Sequence, residues 1–229
     1  MFVVLPLLAL IPVEPCLYKP FLLNFEMDKK SPVLWFFISI IAVAGFATLG
    51  PAEKALGSNV RVVYLHGAWV WTALAGITLS AIIGLGGLIL NREGWHQWSR
   101  ALGRTGLFFW ITYLPISMWA MQANWNGLFL AEPRWRVALM FSVGGLILQI
   151  GVTLLEHPRW ASAANILFAA ALLVALQNAE QVMHPPSPIL TSDAWRIQLF
   201  FAGLTALTLV AGFQMVRWWR AREQLQKRR

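Results

Sequence analysis

Long apolar runs separated by short polar segments dominate this chain. A run of about 20 residues is long enough for a helix to cross roughly 30 Å of hydrocarbon. The runs are uniformly apolar and do not alternate, which favours helices over the strands of a membrane barrel. We expect an all-α polytopic membrane protein, whose six-helix membrane domain covers residues 32–220. The predicted spans are residues 32–50, 60–90, 105–121, 137–155, 160–179 and 195–216.

The two ends of the chain fall outside this domain. Residues 1–31 form an N-terminal segment whose apolar part is interrupted by Pro6, Pro12 and Pro15 and is too short to span. It reads either as a weak signal-like segment or as sequence upstream of a natural start at Met27. Residues 221–229 form a basic tail that we expect in the cytoplasm.

Composition supports a membrane protein and argues against a nucleic-acid partner. Only 12% of residues are charged and 58% are hydrophobic, whereas soluble domains carry about 25% charged residues. The net charge of +8 comes from basic residues at helix ends and in the tail, where they set orientation and attract anionic lipid. The single cysteine, Cys16, excludes an intramolecular disulfide and a thiolate metal cluster.

The distribution of lysine and arginine predicts the orientation. One set of segments between the spans carries twelve basic residues and the alternate set carries five. The positive-inside rule then places both termini in the cytoplasm, and six spans are consistent with that. We expect an inner (plasma) membrane of bacterial or archaeal type, with His66 and His184 on its extracytoplasmic face.

His66 lies near the outer end of the second span, within the segment "NVRVVYLHGAWVW". This span has 31 residues, roughly 46 Å as a helix, and exceeds the hydrocarbon core by about ten residues. Arg61 is at its start, and Trp69 is one turn below His66. His184 lies in the outer segment between the fifth and sixth spans.

These residue types suit haem. Neutral imidazole is a common axial ligand of haem iron, aromatic rings stack on the macrocycle, and guanidinium groups pair with carboxylates such as the propionates. We therefore predict an outer site for haem b, held transiently and without a covalent bond. Its two histidines would be the metal ligands.

The segment "RVVYLH" resembles a motif of the cytochrome c assembly protein family, in which an Arg-x-x-Tyr-x-His pattern opens the second span of six-span haem-handling members. A second family motif, W-G-x-W-W-x-W-D-x-R, aligns without a gap with "WNGLFLAEPR". Trp125 and Arg134 match it and Glu132 replaces its aspartate, but its inner tryptophans are replaced by Leu128, Phe129 and Ala131.

The resemblance implies a function in cytochrome c biogenesis. Haem would bind at the outer surface between two histidines and pass to a haem chaperone that works with ABC-transporter-type membrane subunits. The implied site residues are His66, His184, Arg61, Trp69, Trp125, Phe129 and Arg134.

Two other functions fit the sequence. The chain could be a non-catalytic accessory subunit that has lost haem handling, as the replaced tryptophans indicate. It could also be an electron-transfer subunit with b-type haem, although no histidine lies near the middle of a span. We find no motif for a catalytic nucleophile, a phosphate-binding loop or a hydrolytic metal site, so we expect no enzyme.

The remaining polar residues are predicted to be structural. We expect His96 in a basic interfacial loop, where it anchors the chain, and His157 in a polar turn between the fourth and fifth spans. Gln149 should form a hydrogen bond between helices. Glu132 and Arg134 form either part of the haem site or a clasp across their own loop.

Overall fold

The computed structural model describes residues 31–155, 157–180, 189 and 193–227. Helices make up 84% of these residues, and no strand occurs among them, so the all-α prediction is confirmed. The six helices are α1 (Pro32–Thr48), α2 (Val60–Leu90), α3 (Glu93–Trp125), α4 (Pro133–Leu154), α5 (Pro158–Gln177) and α6 (Trp195–Lys227).

Four of the helices, α2, α4, α5 and α6, are long and apolar enough to cross a membrane. Helix α1 is apolar but has only 17 residues. The bounds of α2 coincide with the predicted second span, whose apolar run ends at Asn91 in a left-handed conformation with φ of 50°. The prediction of six spans with both termini in the cytoplasm goes beyond these observations.

Helix α3 differs most from its prediction. The segment 93–104, expected as a basic loop, forms the first three turns of α3, which follows α2 after a two-residue turn. Trp95 and His96 pack there against Gly86 and Gly87 of α2, which lack the side chains that would keep the two helices apart. Packing therefore makes this polar segment helical. Helix α6 likewise continues through Lys227, so the described part of the basic tail is helical.

Helices α2 and α3 form the centre of the bundle, with α5 and α6 packed against both of them. Their backbones approach closely where Gly76 faces Gly106: a Cβ at Gly76 would lie 2.9 Å from the Gly106 Cα. Gly145 on α4 likewise faces Leu107 and Phe168. Helix α1 rests mainly on α6, and α4 rests on α3 and α5.

A buried amide ties α3, α4 and α5 together. Asn165 on α5 donates to the backbone carbonyl of Ser99 at 2.9 Å and accepts from the Gln149 Nε2 at 3.1 Å. The predicted interhelical hydrogen bond of Gln149 is thus confirmed. Because an unsatisfied buried amide is costly, this network fixes the three helices relative to one another.

Candidate functional site

The start of α2, the end of α3 and the start of α4 meet at one end of the bundle, which we call the His66 end. Asn59, just before α2, donates from its amide to the carbonyl of Ala123 at 2.8 Å. Asn124 donates back to the carbonyl of Asn59 at 3.4 Å. These bonds fasten α2 to the end of α3 and bring together two segments that are some sixty residues apart in sequence.

His66 contacts α3 through Tyr113. The two rings meet edge to face, with centroids 5.5 Å apart and planes at 61°. Tyr113 in turn packs edge-on against Trp110 at 5.0 Å. Tyr113 and Trp110 are buried, whereas His66 is half-buried. The imidazole is therefore packed on an aromatic column of α3 and remains partly exposed.

Arg61 has different neighbours. Its Nε donates to the carbonyl of Gly50 at 2.9 Å, and the Tyr64 hydroxyl donates to the carbonyl of Pro51 at 3.1 Å. Both side chains thus fasten the loop between α1 and α2. Five residues along a helix correspond to a rotation of about 140°, so Arg61 faces this loop and His66 faces α3. Arg61 and His66 were predicted to bind haem together, but they have separate structural partners.

Trp69 lies in the core. Its side chain is only 9% exposed, its Nε1 donates to the Thr112 hydroxyl at 2.8 Å, and its ring packs on Phe109 at 4.9 Å. A stacked macrocycle needs an accessible aromatic face. Trp69 does not offer one, and its contacts are those of a residue that joins α2 to α3.

The loop between α3 and α4 presents aromatic surface. Helix α3 ends at Trp125, and Asn126 caps it with φ of 52°. Trp125 and Phe129 then meet edge to face with centroids 6.1 Å apart, and each is 40% exposed. Leu128 and Leu130 are also exposed. The replaced tryptophans have therefore not removed the apolar surface of this loop.

Glu132 closes the same loop from the other side. It precedes Pro133, the first residue of α4, and its Oε2 accepts from the backbone N–H of Trp135 at 2.6 Å. Its Oε1 is buried and has no hydrogen-bond partner within the described ranges. The contact observed for Glu132 is a helix cap, which neither predicted role included, and its pairing with Arg134 stays a prediction. Arg134 follows in the first turn of α4 and is half-buried.

His184 lies outside the described residues, so the pairing of His66 with His184 stays a prediction. Glu180, at the edge of the described region, is exposed. Among the residues that the structure describes, no group of three or more histidine, cysteine or acidic side chains is arranged for a metal ion. Haem iron needs at most two protein ligands, so the absence of a three-residue group from the described region does not bear on haem.

The histidines of the opposite end are structural in their contacts. His96 is 2% exposed, and its Nδ1 lies 2.8 Å from the Ser162 hydroxyl of α5. The expectation of an interfacial loop residue was wrong, because His96 is packed between three helices. His157 caps α5 and accepts from the backbone N–H of Arg159 at 3.3 Å, so its predicted position in a polar turn is confirmed.

Two residues of the His66 end were missed from the sequence. Tyr113 is one of only three tyrosines, and a tyrosine inside an apolar span signals a required partner. Asn59 precedes the apolar run of α2 and is a residue type that often caps helices. Its side chain makes no cap bond and instead donates to the backbone of Ala123 on α3. Neither partner could have been identified from sequence spacing.

Compared with models of protein families, with curated proteins and with solved structures, the chain matches none. The family resemblance therefore depends on the two motifs alone.

Proposed function

We propose that the protein binds haem b transiently at the His66 end, with His66 and His184 as axial ligands, and passes it to an acceptor. The observation that carries this proposal is the position of the His66 imidazole. It is half-buried against Tyr113 at the same end of the bundle as the exposed pair of Trp125 and Phe129. Imidazole and accessible aromatic rings are the residue types that suit haem.

The surrounding residues would contact different parts of the haem. Trp125 and Phe129 offer rings to the macrocycle, as a platform smaller than the family motif would supply. Arg61 offers charge: its Nε is held by Gly50, and its two Nη groups have no hydrogen-bond partner among the described residues. A guanidinium anchored in this way can pair with a propionate. Arg134 is a second candidate for that role.

Trp69 has an indirect role in this proposal. Its contacts with Thr112 and Phe109 join α2 to α3, so it stabilises the helix pair without touching haem. A weak hold on haem through exposed aromatic contacts suits a protein that transfers its ligand. The proposal therefore describes binding and delivery, with no catalytic step.

The proposed topology has six spans, both termini in the cytoplasm and the His66 end on the extracytoplasmic side. Its support is the count of twelve basic residues against five in alternate segments. In that orientation a haem chaperone and ABC-transporter-type subunits of a maturation complex would meet the His66 end. A cysteine placed at exposed Ala52 and labelled from outside intact cells would test the orientation.

The test of haem binding is the visible spectrum of the detergent-purified full chain during haem titration, in reduced and oxidised states. We expect a Soret band that His66→Ala and His184→Ala each weaken or abolish. His157→Asn is the matched control, because it replaces a histidine at the opposite end and keeps a residue able to cap α5. Absence of a band in the unaltered chain would refute the proposal.

A second candidate function is supported by the exposed loop itself. Trp125, Leu128, Phe129 and Leu130 are exposed within six residues of one loop, and exposed apolar surface often marks contact with another protein. An accessory subunit that has lost haem handling would use this loop to dock on a membrane complex. Co-purification of a complex without pigment, lost on Phe129→Glu, would favour this function over haem delivery.

A further inference from the structure

Three arginines from two helices converge on one carboxylate at the end of the bundle opposite His66. Arg100 and Arg104 lie one turn apart on α3, and Arg220 and Glu223 lie one turn apart on α6. Their Nη1 atoms are 3.9, 3.6 and 4.0 Å from the nearest Glu223 oxygen. We call these four residues the arginine cluster. Three guanidinium groups against one carboxylate give it a formal charge of +2.

The arginine cluster is largely shielded from solvent. The arginine side chains are 21%, 20% and 16% exposed, in chain order, and that of Glu223 is 9% exposed. Removing cations from water is unfavourable unless anions compensate them. Glu223 supplies one negative charge, so the remaining excess favours an additional anion.

The guanidinium groups also retain hydrogen-bonding capacity. Each carries five N–H donors, and the distances to Glu223 exceed a normal N–H···O hydrogen bond of about 3 Å. Among the described residues, Gln97 accepts from Arg220 at 2.6 Å and Thr153 accepts from Arg104 at 3.3 Å. Most N–H donors of the three arginines therefore have no hydrogen-bond acceptor among the described residues. The planar guanidinium group matches the oxygens of phosphate.

Contacts with tryptophan rings indicate where the arginine cluster lies relative to the membrane. The Arg220 guanidinium lies 5.0 Å from the ring centre of Trp98, and that of Arg104 lies 5.2 Å from Trp219. Trp98 and neighbouring Trp95 are exposed. Exposed tryptophans at the end of an apolar bundle are typical of the membrane–water interface, which is also the level of lipid phosphates.

We propose that the arginine cluster is a binding site for a phosphate-bearing anion, which a phospholipid headgroup supplies at this depth. Arg100 and Arg104, as neighbours on one face of α3, hold the phosphate oxygens, and Arg220 adds charge from α6. The inference is independent of haem binding, because the site lies at the other end of the bundle.

The experiment uses the full chain, delipidated in an uncharged detergent and titrated with short-chain phosphatidylglycerol, with bound lipid counted by native mass spectrometry. The test variants are Arg100→Gln/Arg104→Gln and Glu223→Gln. The matched control is Arg222→Gln, an arginine on α6 that stacks on Trp218 at 5.1 Å outside the cluster. Competition by inorganic phosphate identifies the source of the phosphate. A parallel titration with phosphatidylcholine, whose phosphate is balanced by a cation, tests whether a net negative charge is needed.

We expect the double variant to weaken phosphatidylglycerol binding roughly tenfold to a hundredfold, as loss of charge-assisted hydrogen bonds predicts. Arg222→Gln should leave it unchanged. Glu223→Gln, which raises the cluster from +2 to +3, should tighten it and provides a test even if the double variant does not fold.

Displacement by inorganic phosphate would support a site for soluble phosphate, and failure to displace would support a lipid site. Equal binding by the double variant and the unaltered chain would overturn the proposal. So would an equal loss in Arg222→Gln, or weaker binding in Glu223→Gln.

Discussion

The imidazole of His66 on α2 meets the ring of Tyr113 on α3 edge to face, with centroids 5.5 Å apart. This contact joins the two helices near the end where α2 begins, and it restricts the orientation of the imidazole. Tyr113 is itself packed against Trp110, so the orientation of His66 depends on the core of α3. The proposed ligand is therefore part of the central helix pair.

Removing the ring of Tyr113 should release His66. We expect Tyr113→Ala to lower the free energy of unfolding by about 3–5 kcal/mol, as for other buried aromatics, and to weaken haem binding. Tyr113→Phe keeps the ring and should retain haem binding. Thermal unfolding and haem titration of both variants test this, and unchanged haem affinity in a folded Tyr113→Ala would show that the contact does not position His66.

Trp69 and Trp125 should respond in opposite ways. Trp69→Phe loses the hydrogen bond to Thr112, which should cost about 0.5–1.5 kcal/mol of stability, and it should leave the haem spectrum unchanged. Trp125→Ala removes an exposed ring, so stability should change by less than about 0.5 kcal/mol while haem affinity falls. A folded Trp69→Phe protein without a Soret band would instead support direct stacking on Trp69.

The glycine contact between α2 and α3 predicts a sharp difference between two alanine substitutions. Gly76→Ala places a Cβ 2.9 Å from the Gly106 Cα, and pushing the backbones apart should cost about 1–3 kcal/mol. Gly144→Ala is the control, because within the described ranges nothing lies within 4 Å of its added Cβ. Alanine there should be neutral or stabilising by up to about 1 kcal/mol. Thermal unfolding of both variants measures the difference.

The loop between α1 and α2 should loosen in acid. The Glu53 carboxylate accepts the backbone N–H groups of Leu56 at 3.0 Å and Ala55 at 2.8 Å, which lowers the pKa of Glu53 from its ordinary value of 4.5. A lowered folded-state pKa stabilises the loop above the unfolded pKa, and this stabilisation is lost as pH falls through the folded pKa. Hydrogen exchange at Leu56, compared with Glu53→Gln, measures the effect. Equal protection in the two proteins at neutral pH would contradict it.

The sequence predicted the long apolar helices well because their signal is local. The bounds of α2 and the turn at His157 follow from hydropathy and from short polar interruptions. The helical conformation of residues 93–104 did not follow, because it depends on packing against Gly86 and Gly87. The burial of His96 has the same cause, since its partner Ser162 lies 66 residues away.

For the candidate site, sequence spacing identified His66 and the aromatic loop but not their neighbours. Arg61 and His66 are five residues apart, and that spacing alone did not reveal that they face different elements. Trp69 was predicted to contact haem, and its burial could not be predicted because its hydrogen-bond partner, Thr112, lies 43 residues away. In both cases, contacts with segments distant in sequence determine where the side chain lies.

The central claim is that His66 binds haem, and one titration tests it most directly. Haem is added to the purified full chain, to His66→Ala and to the control His157→Asn, and the Soret band is recorded in each. We predict a saturable band in the unaltered chain and in His157→Asn, and its loss in a folded His66→Ala. Equal bands in all three proteins would contradict the assignment of His66 as a haem ligand.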